Sequence, residues 1–396
     1  MKQGWELKTL EDVCQFQNGF AFKSKTFKDE GVPVLRISNI QKDNIDLRRI
    51  VFVDPSDYKE DLSKYVVNKG DLLIAMSGAT TGKIGFNNTD DVFYLNQRVG
   101  KFKPSEQLNI HYLYYFLSTQ VEENLKISAG SAQPNLSTQQ IKSFKLPFPP
   151  LEEQKQIVAK LDQCFEAIDK ARANAAKNLE NAKELFQSKL NEIFSQKGEG
   201  WVEVVLNEIG ETQTGTTPPT KDISNYGDYI PFVKPPHFSP DGSINTGSSM
   251  LSKSGLEKGR LFQSNSVLMV CIGATIGKTG FSTVPVSSNQ QINCLTPKKE
   301  YNPKLFYYGL ISPFVQRQVI EIGSGSQATL PIINKSKWSK LRINIPTERS
   351  VQDVIVQLLD GLKQKTQPLE SKYQQELNSL EELKKSILQK AFKGEL

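Results

Sequence analysis

The chain carries nearly the same message twice, and that duplication limits what it can fold into. Residues Gly78 to Phe86 read GATTGKIGF and residues Gly273 to Phe281 read GATIGKTGF, identical at seven of nine positions and separated by 195 (273 minus 78). The echo continues in order along the chain. Gly4-Trp5 returns as Gly200-Trp201 and Gly19 as Gly215, both at an offset of 196. Asn96-Gln97 returns as Asn289-Gln290 and Tyr114-Tyr115 as Tyr307-Tyr308, both at 193. Ser188, Leu190 and Phe194 return as Ser386, Leu388 and Phe392, at 198. Solenoid repeats recur every ~20–50 residues, so so long a period means two copies of a whole domain. Two similar surfaces in one chain suit a ligand that is long or bipartite.

Each copy divides into a globular part and a long helix. Up to about Phe148 the first copy runs in short apolar segments (VPVLRISNI, KYVVNKGDLLIAMSG, KIGF, RVGKFKP) cut by Gly, Pro, Asn and Asp, which predicts strands. A helical patch is expected from His111 to Lys126. Prolines in LPFPPLEEQ then stop an extended segment, and acidic residues open a helix. From Glu152 to Phe194 there is no Pro or Gly, and Ala, Leu, Glu, Lys and Gln dominate. Such a helix is a rod of roughly 65 Å and needs a partner. The second copy supplies one between Pro346 and Phe392, where Ile355, Leu359, Leu362, Thr366, Leu369, Tyr373, Glu376, Leu380, Leu383 and Ile387 recur at alternating steps of four and three. That spacing is a coiled-coil seam. Leu161, Phe165, Ile168, Ala175, Leu179, Ala182, Phe186 and Ile193 form the matching stripe. Pro368 is expected to kink or interrupt the second helix.

The expected fold class is α+β: two homologous globular α/β domains, 1–148 and 198–345, joined by long helices, 149–197 and 346–396. The helices are expected to form an antiparallel coiled coil, and joining the tail FKGEL to the head MKQGW would recreate the internal junction FSQKGEGW. This is a pseudo-twofold pattern. The shared markers keep one frame while the residues between them differ, so the copies should read different things.

Charge and composition remove several function classes. Lys plus Arg number 49 against 43 Asp plus Glu, a net charge of +6 that is compatible with a polyanion partner. Cys14, Cys164, Cys271 and Cys294 are scattered, and there are only two histidines, so no metal motif is present. Neither an apolar leader nor a run of about 18 apolar residues occurs, which reads as a cytoplasmic protein without a membrane span.

With its repeated domain-plus-helix plan, LPFPPLEEQKQIVAKLD at Leu146 to Asp162 and SILQKAFKGEL at Ser386 to Leu396, the chain resembles the specificity subunits of type I restriction–modification systems. GATTGKIG and AGSAQPNLS (Ala129 to Ser137) add to the likeness; IPTERSVQDVIVQLLD in the second copy departs from it by lacking the second Pro and the EEQ. The resemblance implies two target-recognition domains, each reading half of a bipartite asymmetric site in double-stranded DNA. It implies helices that act as a ruler and dock two methyltransferase subunits, through which restriction subunits join. It also implies no catalysis in this chain, with S-adenosylmethionine, ATP and magnesium held by the partners. The alternative, a coiled-coil adaptor between two proteins with no DNA role, predicts weak, sequence-independent DNA binding at best, and a methyltransferase would bind its own cofactor.

Several motifs imitate catalytic signatures. GATIGKT is one residue short of a phosphate loop, and its twin GATTGKI lacks the Ser or Thr that would hold magnesium, so a strand–turn–strand is expected. GSGSQA (Gly323 to Ala328) precedes TLPIIN rather than a helix, KPPHF has a lysine where an amine acceptor is needed, and DPSDYK crowds its carboxylates. No acid, base and nucleophile constellation is found. Base reading needs Arg or Lys for guanine and Asn or Gln for adenine. The DNA-binding candidates are Arg36, Asn39, Gln41, Lys42, Asn44 and Arg98 in the first copy and Lys234, His237 and Gln291 in the second, with Lys83 and Lys278 for phosphates. For the helix pair or partner interface they are Leu161, Ile168, Leu179, Phe186, Leu359, Leu362, Leu369, Leu380, Leu383 and Ile387.

Overall fold

A computed structural model of the chain describes residues 2–41, 44–128, 135–324 and 331–396, with side chains except at 121–128 and 324. Lys42, most of AGSAQPNLS and most of GSGSQA lie outside the described residues. Four helices organise the fold: α1 (Ile110–Ser128), α2 (Leu151–Phe194), α3 (Pro303–Ile311) and α4 (Arg349–Lys393). The chain forms two compact units, residues 1–173 with 377–396 and residues 174–376.

In the first unit a four-stranded antiparallel sheet orders its strands Cys14–Asn18, Val99–Pro104, Leu72–Ala75, Ile84–Phe86. The run Leu72-Leu73-Ile74-Ala75 is fully buried, as a continuous apolar run predicts for a strand covered on both faces. Its side chains alternate between two cores. Leu72 and Ile74 join Tyr112 and Phe116 of α1, Leu161 and Phe165 of α2, and Ala391 of α4. Leu73 and Ala75 instead meet Leu35, Ile40 and Leu95 beneath a second four-stranded sheet. Helices, sheet and second sheet therefore make three layers. Lys101, in the central sheet, is buried yet satisfied by Asp71 at 3.0 Å and the Val66 carbonyl at 2.5 Å.

The second unit repeats the plan. Its main sheet runs Gly210–Thr214, Ile292–Pro297, Ser266–Val270, Thr279–Ser282. Val267 and Met269 face a core with Tyr308 of α3, Phe186 and Leu190 of α2 and Leu359 of α4; Leu268 and Val270 face the smaller sheet through Val233, Phe238 and Phe262.

Within each unit a stretch of α2 and a stretch of α4 share one core. In the first unit they run antiparallel: Arg172 pairs with Glu381 at 2.8 Å, Asp169 with Lys384 at 3.4 Å, and the Lys384 ammonium sits 4.7 Å from the Phe165 ring centre. Leu161, Ile168, Phe186 and Leu359 are buried, and Leu179, Leu362, Leu380 and Ile387 are half-buried. Leu369 and Leu383 are not seam residues, being 42% and 46% exposed. Beyond Tyr373 the inward-facing stripe passes through half-buried Leu377, Leu380, Lys384 and Ile387 and buried Ala391. Lys384 takes the place expected for Leu383, because its aliphatic stem covers Phe165 while its charge reaches Asp169. Pro368 does not interrupt α4. Both it and Gln364, whose carbonyl loses its donor, are exposed, where an open carbonyl faces solvent and costs little. Among the described residues no helix is long and apolar enough to cross a membrane.

Candidate nucleic-acid interface

The repeated GAT-x-GK-x-GF segment is a strand–turn–strand in both units. Its first two glycines lie in the left-handed region, Gly78 and Gly82 at φ 78° and 81°, Gly273 and Gly277 at 102° and 86°. The third leaves room for a neighbouring loop: a Cβ on Gly85 would lie 2.8 Å from the Asn44 carbonyl oxygen, and one on Gly280 would lie 2.7 Å from Ile244. The turn therefore carries the segment that holds the candidate base readers.

The end of the central strand is the frame around which the site is built. Ala75 N–H donates to the Lys83 carbonyl at 2.9 Å, and Met76 N–H to the Arg98 carbonyl at 2.9 Å. In the second unit Val270 N–H donates to Lys278 at 2.8 Å and Cys271 N–H to Gln291 at 2.7 Å. Leu136 N–H then bonds the Met76 carbonyl and Ile333 N–H the Cys271 carbonyl, each at 2.8 Å. Lys83 and Lys278, like Arg98 and Gln291, thus hold matching positions on either side of one strand end.

Some candidates are spent on the fold. Asn39 is 1% exposed; its Oδ1 accepts from Arg36 N–H at 3.0 Å and its Nδ2 donates to the Asp46 carbonyl at 2.8 Å, so it cannot reach a base. His237 repeats this cap, Nδ1 accepting from Lys234 N–H at 3.3 Å. Burial and the Lys234 charge hold its pKa below the usual histidine value. Arg36 donates to the Arg49 carbonyl at 2.9 Å and packs on the Phe27 ring. Lys234 sits 5.4 Å from the Phe232 ring centre. Lys83 donates to Gln41 Oε1 at 2.8 Å, tying those two candidates together. Asn44 and Arg98 are exposed. Asn289 Nδ2 donates to Gln291 Oε1 at 2.8 Å. Lys278 lines a cleft of about 760 Å³ in the second unit with Lys183, Asp241 and Lys363. Lys363 donates there to the Asp241 carbonyl and to the Tyr307 hydroxyl, and burial lowers its pKa.

Two of the catalytic imitations take structural roles. KPPHF forms a short 3-10 turn (Pro235–His237). Asp54 of DPSDYK caps Ser56 N–H at 2.9 Å, and Lys28 bridges Asp54 and Asp57. Among the described residues no group of three His, Cys, Asp or Glu side chains is placed to hold a metal ion.

Two paired features escaped the sequence reading. Gln154 is fully buried, its Oε1 accepting from Asn109 N–H at 2.9 Å and its Nε2 donating to the Pro149 carbonyl at 2.9 Å. Gln352 does the same for Asn302 N–H and the Pro346 carbonyl, both at 2.9 Å. The glutamine thought missing from the second copy is present, one residue further from its proline. In each unit a tyrosine also reaches the long helix: Tyr115 donates to Asp162 and Tyr308 to Asp360. The repeated Tyr-Tyr pair and the two aspartates at an offset of 198 were the available signal.

The sequence profile described as "Type I restriction modification DNA specificity domain" matches residues 2–178 and again 198–379. The chain belongs to this DNA specificity family. Among family relatives, the type I restriction enzyme EcoBI specificity subunit of Escherichia coli is 25% identical over 431 aligned residues, covering 99% of this chain and 86% of that one. The MjaVIII specificity subunit of Methanocaldococcus jannaschii is 32% identical over 174 residues, 42% of this chain and 41% of its own. In fold, this specificity-family chain is similar to a structure solved in a study of complex assembly and conformational transition of the type I R-M system. The TM-score is 0.74 at 21% identity, over 100% of this chain and 99% of that one. It is also similar to the HsdS subunit from Thermoanaerobacter tengcongensis, with a TM-score of 0.54 at 20% identity over 100% and 98% of the two chains.

Proposed function

We propose that this chain is the DNA-recognition subunit of a type I restriction–modification complex, each globular domain reading one half of a bipartite, asymmetric double-stranded site. The observation that carries the reading is the duplicated strand end. One backbone frame occurs twice, inside a specificity domain matched twice, with the same turn lysine and different neighbours. Shared cations suit phosphates, which look alike everywhere, and differing polar side chains suit bases. Residues 1–148 and 198–345 are the recognition domains, and 149–197 and 346–396 the helices that set the spacer and dock methyltransferase subunits. On B-DNA a change of spacing is also a change of rotational phase, so a helical ruler is a sensible device. Catalysis, and with it S-adenosylmethionine, ATP and magnesium, belongs to the methyltransferase and restriction partners, in the cytoplasm.

The test is selection from a randomised duplex DNA library by the complex of this chain with its methyltransferase. The enriched sequences are expected to share two short fixed elements around a constant spacer. A chain that merely tethers proteins would enrich nothing above the methyltransferase alone.

A further inference from the structure

The two units share a frame but should not share a target, so the discriminating positions meet three conditions. They occupy the same place in both frames, carry base-reading chemistry in both, and are not consumed by the fold. Asn39 and His237 fail because each caps the turn that contains it. Arg36 and Lys234 are both cations, as are Lys83 and Lys278, so neither pair distinguishes one half-site from the other. Asn44 corresponds to Ser243, whose hydroxyl donates to Asp241 at 2.6 Å.

The position of Arg98 and Gln291 meets all three. Arg98 and Gln291 are matched by the bonds that their carbonyls accept from Met76 and Cys271. Arg98 is exposed, and its guanidinium makes no hydrogen bond or ion pair among the described residues. Gln291 is steered by Asn289, whose Nδ2 donates to its Oε1 while its Oδ1 accepts from Gln291 N–H at 3.3 Å. That leaves the Gln291 Nε2 donors and a second lone pair on Oε1 for a ligand. Each lies across the central strand end from the shared turn lysine, their carbonyls accepting from successive N–H groups of that strand, so a phosphate contact by the lysine would hold the duplex over the same strand end. A guanidinium matches the O6 and N7 edge of guanine, and a carboxamide matches the N6 and N7 edge of adenine.

We infer that this position specifies one base in each half-site, Arg98 a guanine and Gln291 an adenine; the assignment rests on the DNA-recognition reading above. The experiment repeats the randomised duplex selection with complexes carrying Arg98→Gln, Gln291→Arg and Gln291→Ala, with thermal unfolding of each to exclude misfolding. Arg98→Gln should convert one position of one half-site from guanine to adenine and leave the other half unchanged. Gln291→Arg should make the reverse change in the other half. Gln291→Ala should relax that same position by roughly 5- to 160-fold, the discrimination of a good bidentate pair. If the folded variants enrich the unaltered motif, or lose affinity equally at all positions, the assignment is wrong. If the unsubstituted complex enriches no split motif, the DNA-recognition reading fails, and the assignment with it.

Discussion

Replacing Gln352 by alanine tests the junction between the second globular domain and its long helix. The side chain is 1% exposed and serves two main-chain groups, Asn302 N–H and the Pro346 carbonyl, each at 2.9 Å. A typical hydrogen bond contributes about 1 kcal/mol net, but a buried partner left unsatisfied costs about 1–3 kcal/mol. Pro346 is buried and Asn302 half-buried, so water can rescue only the latter. The expected loss is about 1 kcal/mol at Asn302 plus 1–3 at Pro346, together about 2–4 kcal/mol. Hydrogen exchange read by mass spectrometry is the suitable assay because it localises the effect. Peptides covering the first turns of α4 should exchange roughly 30- to 1,000-fold faster, since each 1.4 kcal/mol is a factor of about ten. Gln154→Ala should do the same at the start of α2, where the bonding is equivalent. Acceleration below about threefold at both sites would mean that these amides do not anchor the helix starts, and the reasoning would fail.

Other consequences follow from individual side chains. Leu380→Asp should destabilise the first unit by about 2–3 kcal/mol in denaturant unfolding, because a charge enters the half-buried helix seam, whereas Leu383→Asp should change stability by less than about 0.5 kcal/mol. Equal losses would contradict the seam described above. Pro368→Ala should stabilise α4 by about 1–3 kcal/mol, since proline in an exposed helix interior costs about 3 kcal/mol relative to alanine; a lower denaturation midpoint would count against an uninterrupted helix there. His237 has a folded-state pKa below its unfolded value of about 6.5, so the unfolded chain binds the extra proton first as pH falls. Stability from this group is therefore present above about pH 6.5 and is lost as pH drops through the lower folded value. His237→Asn, which installs the cap already used by Asn39, should remove that dependence while keeping neutral-pH stability; an unchanged pH profile would refute the capping role.

The fold was legible wherever local pattern and tertiary demand agree. Leu72 to Ala75 forms one uninterrupted apolar run, and a strand covered on both faces needs nothing else. The Pro-free and Gly-free stretch of α2 likewise declares a helix. The seam was harder to read because the helical period leaves neighbouring registers close in energy. Leu383 looked like the better core residue, but Lys384 can bury its stem and still reach Asp169, a choice that only three dimensions resolve. Candidate base readers were the least legible. Asn39 and Arg98 have equally suitable chemistry, yet one is consumed by a turn and the other is exposed. Gln154 and Gln352 were overlooked for the opposite reason: their partners are main-chain groups that bear no residue signature.

Two different recognition surfaces in one chain are the central claim, and exchanging one of them tests it most directly. Residues 198–345 would be replaced by the equivalent domain of a relative with a different target, and methylated adenines mapped in DNA from cells carrying the chimera and its methyltransferase. One half of a split motif should change while the other half and the spacer stay as they were. A motif altered in both halves, or in neither, would contradict the assignment of one half-site to each domain.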